Sequence, residues 1–385
     1  MGKTIAEKII ARAAKEPEVR PGDIVWADVD RAMMDDILGP RIQIAEQLKE
    51  LGKPVWDPDK VVIISDHYTP PASIHQAEIV KFTREWAADN GIQKYYEFEG
   101  PCHQVLAETG NVRPGMVVLG TDSHTCMGGA LNAFASGVGS TEMLGILVTG
   151  KTWLKVPETV RVLWEGELSA NVMAKDISLR TIGTVGHAGA TYMSVEYDGQ
   201  TIRGLPVDER MAITNMAVEM GAKAGLMPFD DITEAYLDSI GVKDYEPYQS
   251  DADASFYRTY QFRAEELRPQ VACPHEVDRV TEADNVRDVK IQQAYLGSCT
   301  GGRLHDLKTA AAYLKGKKVA PGVRLLVSPA SRSIWREAGR LGYLDTLAEA
   351  GGVIMAPTCG VCVGLHSGLI AAARRVSPPA TVIFS

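Results

Sequence analysis

The chain has 385 residues, of which 45% are hydrophobic and 23% are charged, and its formal net charge is −9 at pH 7. A chain of this length can bury a large core and is expected to form two or three domains. The acidic balance, without a basic stripe, argues against nucleic-acid binding. No apolar run approaches the ~18 residues that span a membrane. Six cysteines do not make a disulfide framework here, and the N-terminus lacks a secretory signal, so we expect a cytoplasmic protein.

Helical apolar spacing recurs in the first part of the chain, in residues 4–14, 40–51 and 74–88. An acidic loop that contains Asp35 and Asp36 joins the first two of these segments. Acidic side chains between helices usually face water, so we expect a solvated loop and assign it no role.

The β-branched run at residues 61–64 predicts a buried strand, and Asp66 and His67 follow its end. A histidine beside a carboxylate is a candidate proton donor, because the neighbouring negative charge raises its pKa. From these residues alone, a surface turn explains the pair slightly better.

The chain is predicted to divide into three α/β domains at residues 1–157, 158–287 and 288–385. Lys155-Val156-Pro157 marks the first boundary, and a strand predicted at residues 160–166 opens the second domain. Residues 245–266 are polar and aromatic with weak periodicity, which indicates an irregular excursion.

Asn215 and Glu219 stand four residues apart in a predicted helix, so they project from one face of it. A solvated helical face is the ordinary explanation of such a pair. The surrounding methionine, alanine and valine residues instead favour a buried face.

Three cysteines form the most informative pattern. Cys359 and Cys362 are spaced as Cys-x-x-Cys, and Cys299 stands well before them in Gly-Ser-Cys-Thr. Structural zinc usually takes four protein ligands in two close pairs, and here one pair is missing. A cluster held by three cysteines leaves one iron free to bind substrate. From the Cys-x-x-Cys motif alone, buried structural cysteines are equally expected, because free cysteine packs as a small hydrophobe.

Both cysteine segments follow a predicted strand and lie in a glycine-rich turn. Open α/β sheets place their sites at the carboxyl ends of strands, which agrees with a site here. The stretches GSCTGGRLHDL, from Gly297, and PTCGVCVG, from Pro357, resemble the two cluster signatures of the aconitase superfamily. Over nearly the whole chain, the most similar branch is the large subunit of 3-isopropylmalate dehydratase and homoaconitase.

This resemblance implies the fold, the cofactor and the reaction. It implies an aconitase-like arrangement of three α/β domains around a central [4Fe–4S] cluster, with three cysteine ligands, one open iron and no swivelling fourth domain. It also implies a hydro-lyase that dehydrates and rehydrates a 2-hydroxy di- or tricarboxylic acid, as in leucine biosynthesis.

The resemblance also implies the residues of the site. His67, supported by Asp66, would protonate the leaving hydroxyl, and His103 would pair with Asp122 of the Asp-Ser-His-Thr motif. It implies catalytic roles for Asp66, His67, His103, Asp122, His124 and Glu219, substrate contacts from Ser123, Asn215, Arg303, Ser331 and Arg332, and cluster ligation by Cys299, Cys359 and Cys362. Cys102, Cys126 and Cys273 are expected not to be cluster ligands.

Two departures from the family pattern stand out. The family usually has asparagine where this chain has Gly301, and it continues beyond a strand like that at residues 381–384 into an arginine-containing motif. In the resembling enzymes the catalytic base is a serine on the swivelling domain. We therefore expect a separate small subunit that supplies the base, in a heterodimer, and a small carboxylate as substrate.

Several alternatives remain open from the sequence. Homoaconitase, citramalate dehydratase and 2,3-dimethylmalate dehydratase need similar cluster chemistry. An RNA-binding or electron-transfer iron–sulfur protein is disfavoured by the acidic charge and by the complete histidine motifs. A zinc hydrolase is disfavoured because no histidine has the spacing of a zinc ligand.

Overall fold

The computed structural model describes residues 2–40 and 44–370 and the backbone of a strand at 381–384. The helices are α1 (Ile5–Ala14), α2 (Ala45–Leu51), α3 (Ile74–Asp89), α4 (Cys102–Glu108), α5 (Ser140–Thr149), α6 (Ala174–Val185), α7 (Gln200–Gly204), α8 (Val207–Asn215), α9 (Asp231–Ser239), α10 (Leu304–Leu314), α11 (Arg332–Arg340) and α12 (Tyr343–Glu349). The strands are β1 (Ile24–Asp28), β2 (Arg31–Met34), β3 (Val61–Ser65), β4 (Tyr95–Glu97), β5 (Val117–Gly120), β6 (Phe134–Gly137), β7 (Lys151–Lys155), β8 (Thr159–Glu165), β9 (Ser194–Asp198), β10 (Ala224–Leu226), β11 (Arg258–Arg263), β12 (Gln270–Ala272), β13 (Val280–Glu282), β14 (Gln293–Gly297), β15 (Arg324–Ser328), β16 (Gly352–Ile354) and β17 (Thr381–Phe384).

Three parallel sheets follow one another along the chain. The first has the strand order β4-β3-β2-β5-β6, the second β10-β9-β8-β11 and the third β16-β15-β14-β17. Two small antiparallel pairs, β1-β7 and β12-β13, accompany them. Helices and parallel strands alternate, as in α/β proteins, so the predicted fold class is confirmed.

Strands β3 and β5 show why these segments form the middle of a sheet. Their sequences, VVIIS and VVLG, are buried at every residue. Strands covered on both faces by helices are expected to be continuously apolar, with many β-branched residues. The strand predicted at residues 61–64 is therefore confirmed, and it extends to Ser65.

The second and third sheets each have a hydrophobic core of their own, and a further core joins the first sheet to the second. The largest core joins residues of the first sheet to Ala224 and Leu226 of β10. The core of the third sheet lies entirely within residues 294–347. The division at 1–157, 158–287 and 288–385 stays a prediction, and any boundary at residue 157 crosses a continuous core. These three ranges are called the first, second and third segments below.

One expectation in the second segment was wrong. Residues 258–263, which we expected to lie in an irregular excursion, form β11, parallel to β8 at the edge of the second sheet. The burial of β11 alternates between exposed and half-buried residues. A strand that packs only weakly on its neighbours has weak sequence periodicity, because little of its surface must be apolar.

The shared core gives a stability prediction for Gly129. A Cβ atom at this position would lie 1.5 Å from the backbone oxygen of Gly225 in β10. Gly129→Ala should therefore destabilise the protein by about 1–3 kcal/mol or more, the usual cost of overpacking. The urea midpoint of unfolding measures this.

Gly145→Ala is the matched control, because a Cβ at Gly145 in α5 meets nothing within 4 Å. There, alanine should raise stability by up to about 1 kcal/mol through its higher helix propensity. A Gly129→Ala midpoint equal to that of the parent would show that the two segments need not pack this closely.

Candidate functional site

The predicted site residues converge because several of them follow the carboxyl ends of parallel strands. Asp66 and His67 follow β3, and Asp122 follows β5 of the same sheet. Cys299 follows β14, and Cys359 lies in the loop after β16 of the third sheet. This edge is where open α/β sheets bind their ligands.

Asp122 is the centre of a group of three histidines. Its carboxylate lies 3.1 Å from His103 Nε2, 3.6 Å from His67 Nε2 and 3.5 Å from His124 Nδ1. Burial alone would raise the pKa of this carboxyl, but the imidazoles, led by His103, hold the pKa of Asp122 well below its usual range. Asp122 is thus a fixed negative charge that favours protonated histidines around it.

His67 is buried among carboxylates, with only 3% of its surface exposed. Its Nδ1 lies 2.7 Å from Asp66 Oδ1 and 3.3 Å from Asp36 Oδ1. Neither Nδ1 nor that Asp66 oxygen has a hydrogen-bond partner of good geometry among the described residues, so their close contact is electrostatic. Burial opposes a charge on His67, yet the carboxylates, led by Asp66, raise its pKa well above 6.5.

The expectation of a solvated loop at Asp35 and Asp36 was wrong, since both residues are about 1% exposed. The Asp36 carboxylate accepts hydrogen bonds of 3.0 Å from the backbone N–H groups of His67 and Tyr68. Asp35 accepts a 2.6 Å hydrogen bond from the Thr121 hydroxyl. Both acids directly follow buried β2, the pattern that singled out Asp66, and that signal could have identified them.

The second segment contributes Asn215 and Glu219. Glu219 Oε1 lies 3.5 Å from His124 Nε2, and Asn215 donates an Nδ2–H···S hydrogen bond of 3.2 Å to Cys299. The helix changes from α to 3-10 after Asn215 and ends at Gly221, which has a φ of +81°. The predicted α-helical spacing is therefore interrupted, but both side chains still point to the same region.

Between them, Glu219 and Asp122 hold His124 as a cation. Although burial opposes the charge, these two carboxylates raise the pKa of His124 well above 6.5. Ser123 Oγ lies 3.4 Å from His124 Nδ1. His124 is therefore suited to donate a proton or to bind an anion.

The loop that carries Cys359 is hydrogen-bonded to the residue that follows β3. Cys359 N–H donates to the backbone oxygen of Asp66 at 3.2 Å, and the Thr358 hydroxyl donates to the same oxygen at 2.7 Å. Ligand atoms of Asp66, His67 and Cys359 all lie within 4.8 Å of one another. Burial, Asp66 and the thiols of Cys299 and Cys362 raise the pKa of Cys359. The three predicted cluster cysteines thus lie in one electrostatic neighbourhood.

The turn that carries Cys299 is tightly constrained. Ser298 has a φ of +69°, a left-handed conformation that is uncommon for a residue with a side chain. A Cβ at Gly302 would lie 2.6 Å from the backbone oxygen of Ser328, at the end of β15. This close approach of backbone to backbone explains why a glycine stands at position 302 and constrains the turn that follows Cys299.

Three predicted substrate residues lie in contacts between the first and third segments. Arg303 is 1% exposed, donates from Nε to Gln104 Oε1 at 3.0 Å, and leaves its buried Nη1 without a partner among the described residues. Ser331 caps α11 and donates to Glu108, and Arg332 pairs with half-buried Glu99 at 2.9 Å. Among the described residues, none of the three makes a polar contact with the histidines or cysteines of the site, so their substrate role stays a prediction.

The remaining cysteines differ in their surroundings. Cys102 and Cys126 are buried, and Cys273 is half-buried. Cys102 N–H donates to Asp66 Oδ2 at 2.6 Å, and Cys126 Sγ donates to the backbone oxygen of Asn215 at 3.3 Å. Cys102, His103 and Asp122 also bring ligand atoms within 4.8 Å of one another. Cys102 and Cys126 therefore form hydrogen bonds with two residues of the site, Asp66 and Asn215.

Comparison with known proteins decides the family. Residues 7–287 and 276–382 match the model of the aconitase family (aconitate hydratase). The chain belongs to the aconitase family. The family implies an iron–sulfur cluster, and the thiol, imidazole and carboxylate groups gathered here can hold a metal.

Curated aconitase-family relatives match almost the full chain. A 3-isopropylmalate dehydratase large subunit of Methanopyrus kandleri is 46% identical over 97% of this chain and 90% of its own length. A counterpart from Halothermothrix orenii is 42% identical over 97% and 90%. A probable methanogen homoaconitase large subunit of Methanothermobacter thermautotrophicus is 45% identical over 95% and 87%.

A solved structure supports the aconitase fold. The aconitase X of Thermococcus kodakaraensis superposes with a TM-score of 0.52 at 15% identity, covering 89% of this chain and 82% of that protein. At this identity the likeness concerns the fold alone. Separately, no helix in the described part of the chain is both long and apolar enough to cross a membrane.

Proposed function

We propose that this chain is the large subunit of a hydro-lyase that interconverts 2-isopropylmalate and 3-isopropylmalate by removing and restoring water. The observation that carries the proposal is Asp122 with its three histidines, set beside the thiol of Cys359 through Asp66 and His67. The names of the relatives from Methanopyrus kandleri and Halothermothrix orenii support this substrate.

We propose that Cys299, Cys359 and Cys362 hold a [4Fe–4S] cluster with one open iron. Three soft thiol donors in one neighbourhood suit such a cluster, and the Asn215 amide already donates to one of them. The buried Asn215 Oδ1 has no partner among the described residues, which supports a further polar group at this place. When bound, the cluster supplies a Lewis acid for the hydroxyl and one carboxylate of the substrate.

His67 is proposed as the acid that protonates the departing hydroxyl. Hydroxide is a poor leaving group, and a protonated imidazole converts it into water. The contacts with Asp66, Asp36 and Asp122 keep His67 protonated at neutral pH. Asp122, which contacts both His103 and His67, is proposed to orient the His67 ring. His124, held by Glu219, is proposed to face the substrate as a second cation.

The chain as a whole has a net charge of −9, which repels a substrate that carries carboxylates. The binding site must therefore be positively charged locally. The protonated histidines supply this charge. Arg303, whose Nη1 has no partner among the described residues, is proposed to bind a carboxylate, as are Ser123, Asn215, Ser331 and Arg332. An arginine fork matches a carboxylate in geometry as well as in charge.

The base that removes the α-proton is proposed to come from a small subunit. The relatives are named large subunits, which implies a small partner. In this chain, His67 and His124 are held as cations and the pKa of Asp122 is lowered, so none of them accepts a proton readily at neutral pH. The proposed partner would dock over the cysteines and exclude water.

The test is hydration of 2-isopropylmaleate by the anaerobically reconstituted chain, alone and with a candidate small subunit. We expect activity only with both proteins. Full activity of the chain alone would refute the proposal that the catalytic base comes from a small subunit.

Homoaconitase is the second candidate, favoured by the relative of that name at 45% identity. Homoaconitate should be assayed in parallel with 2-isopropylmaleate. A higher kcat/KM for homoaconitate would replace the proposed substrate but not the proposed chemistry.

A further inference from the structure

Lys175 reaches the cysteine site from the second segment and has no part in the function proposed so far. It lies in the first turn of α6 and is half-buried. Its Nζ donates a 3.2 Å hydrogen bond to the hydroxyl of Thr300, the residue after Cys299. A long side chain thus crosses between segments and ends beside the turn that carries a predicted cluster ligand.

No carboxylate lies within ion-pair distance of Lys175 Nζ in the part of the chain that the structure describes. Burial lowers the pKa of Lys175, and the groups that favour its charge are, in order, Cys362, Asp306, Cys299 and Glu219. Two of these four are proposed cluster ligands, and two are carboxylates. The ammonium group therefore lies beside the cysteine turn and its acidic surroundings, and not in an ion pair with one acidic partner among the described residues.

The position is unfavourable for a lysine in terms of the helix alone. The N-terminal turn of a helix carries a partial positive charge, and a cation there is destabilising by a few tenths of a kcal/mol to about 1 kcal/mol. Asp176, the next residue, has the charge that this turn prefers, and it caps the backbone of Met173. Helix formation gives no reason for a lysine beside it, whereas the cysteine turn does.

The hydrogen bond also acts on the conformation of the turn. Thr300 Oγ1, which accepts from Lys175, lies 3.3 Å from the hydroxyl of Ser298, the residue with a φ of +69°. Ser298 Oγ in turn accepts from the backbone N–H of Thr300 at 3.3 Å. Lys175 therefore holds one end of a short network that surrounds Cys299.

We propose that Lys175 is a positioning residue for the iron–sulfur site: its ammonium group offsets the negative charge of the Cys299 and Cys362 thiolates and anchors the Cys299 turn through Thr300. This inference rests on the proposed ligation of a cluster by these cysteines. Net charge and hydrogen bonding near the sulfurs set the reduction potential of such clusters. The lysine should therefore affect both the potential and the retention of the cluster.

The experiment compares Lys175→Met, Lys175→Arg and the control Lys308→Met after anaerobic reconstitution. Lys308 is an exposed lysine of α10, so its replacement changes the net charge equally. Lys175→Met should lose its cluster to a chelator roughly 10–100-fold faster, the usual effect of removing a group that supports metal ligands. Its reduction potential should be more negative, and Lys175→Arg should restore the potential.

Thr300→Val separates the two parts of the proposal, because it removes the hydrogen bond and keeps the charge. It should lose the cluster faster while its potential stays near that of the parent. A purely structural role for Lys175 would lower the melting temperature of Lys175→Met without moving the potential, and this outcome would overturn the inference.

The controls keep this inference distinct from the proposed function. If the parent takes up iron and sulfide while Lys175→Met equals the parent in retention and potential, the inference about Lys175 fails and the proposed function stands. If the parent takes up neither iron nor sulfide, the proposed function fails, and the inference fails with it.

Discussion

Cys359→Ser is expected to abolish both the cluster and the activity. Cys359 is the buried cysteine of the Cys-x-x-Cys pair, and its thiol shares one site with Asp66 and His67. Serine offers a hard oxygen donor with a far higher pKa in place of a soft thiolate, so it holds iron–sulfur clusters poorly. Iron and sulfide per chain and the visible absorption after anaerobic reconstitution measure the loss, and turnover should fall to background.

Cys126→Ser is the matched control. Cys126 is also buried, and its side chain donates to the backbone oxygen of Asn215, a bond that a serine hydroxyl can make. This variant should keep its iron and most of its activity. Normal iron content in Cys359→Ser, or loss of iron in Cys126→Ser with an unchanged melting temperature, would contradict the assignment of ligands.

His67→Asn is expected to keep the cluster and to lose turnover by roughly 10²–10⁴-fold, the usual contribution of a positioned proton donor. Asparagine is similar in size but has no acidic proton to donate. Because the pKa of His67 is raised well above 6.5, the parent should keep its acid protonated at neutral pH and lose activity only as the pH rises through that higher value. Turnover as a function of pH, with the visible spectrum, tests this.

Two further variants make the His67 result specific. His75→Asn changes an exposed histidine of α3 and should leave turnover unchanged. Asp66→Asn removes the strongest of the charges that favour protonated His67, so the fall in activity should move to lower pH. Near-parental turnover of His67→Asn would show that another group, with His124 as the first candidate, donates the proton.

Much of the architecture follows from local sequence patterns. The apolar β-branched runs at β3, β5 and β15 predict buried strands because parallel strands covered on both faces must be apolar throughout. The motifs around Cys299 and Cys359 likewise indicate the aconitase family, and the family match over residues 7–287 and 276–382 confirms it. Patterns of this kind are local, so the sequence alone is sufficient to predict them.

Other features depend on residues that are distant in the chain. Nothing near Asp36 predicts that its carboxylate will accept from the backbone of His67, because β2 and β3 must first pair in parallel. The contact of Lys175 with Thr300 likewise requires the second and third segments to pack together. Such contacts arise only when separate elements meet.

From the sequence alone, the fold class and buried strands such as β3 are predictable, and the three cysteines and three histidines stand out as candidates for the site. Three features became visible only in the folded chain: Asp122 faces all three histidines, Asp35 and Asp36 are buried, and Arg303 contacts the first segment. The physical reason is the same in each case. Burial and charge pairing are properties of the packed chain, and a carboxylate's partners are set by which strand ends lie side by side.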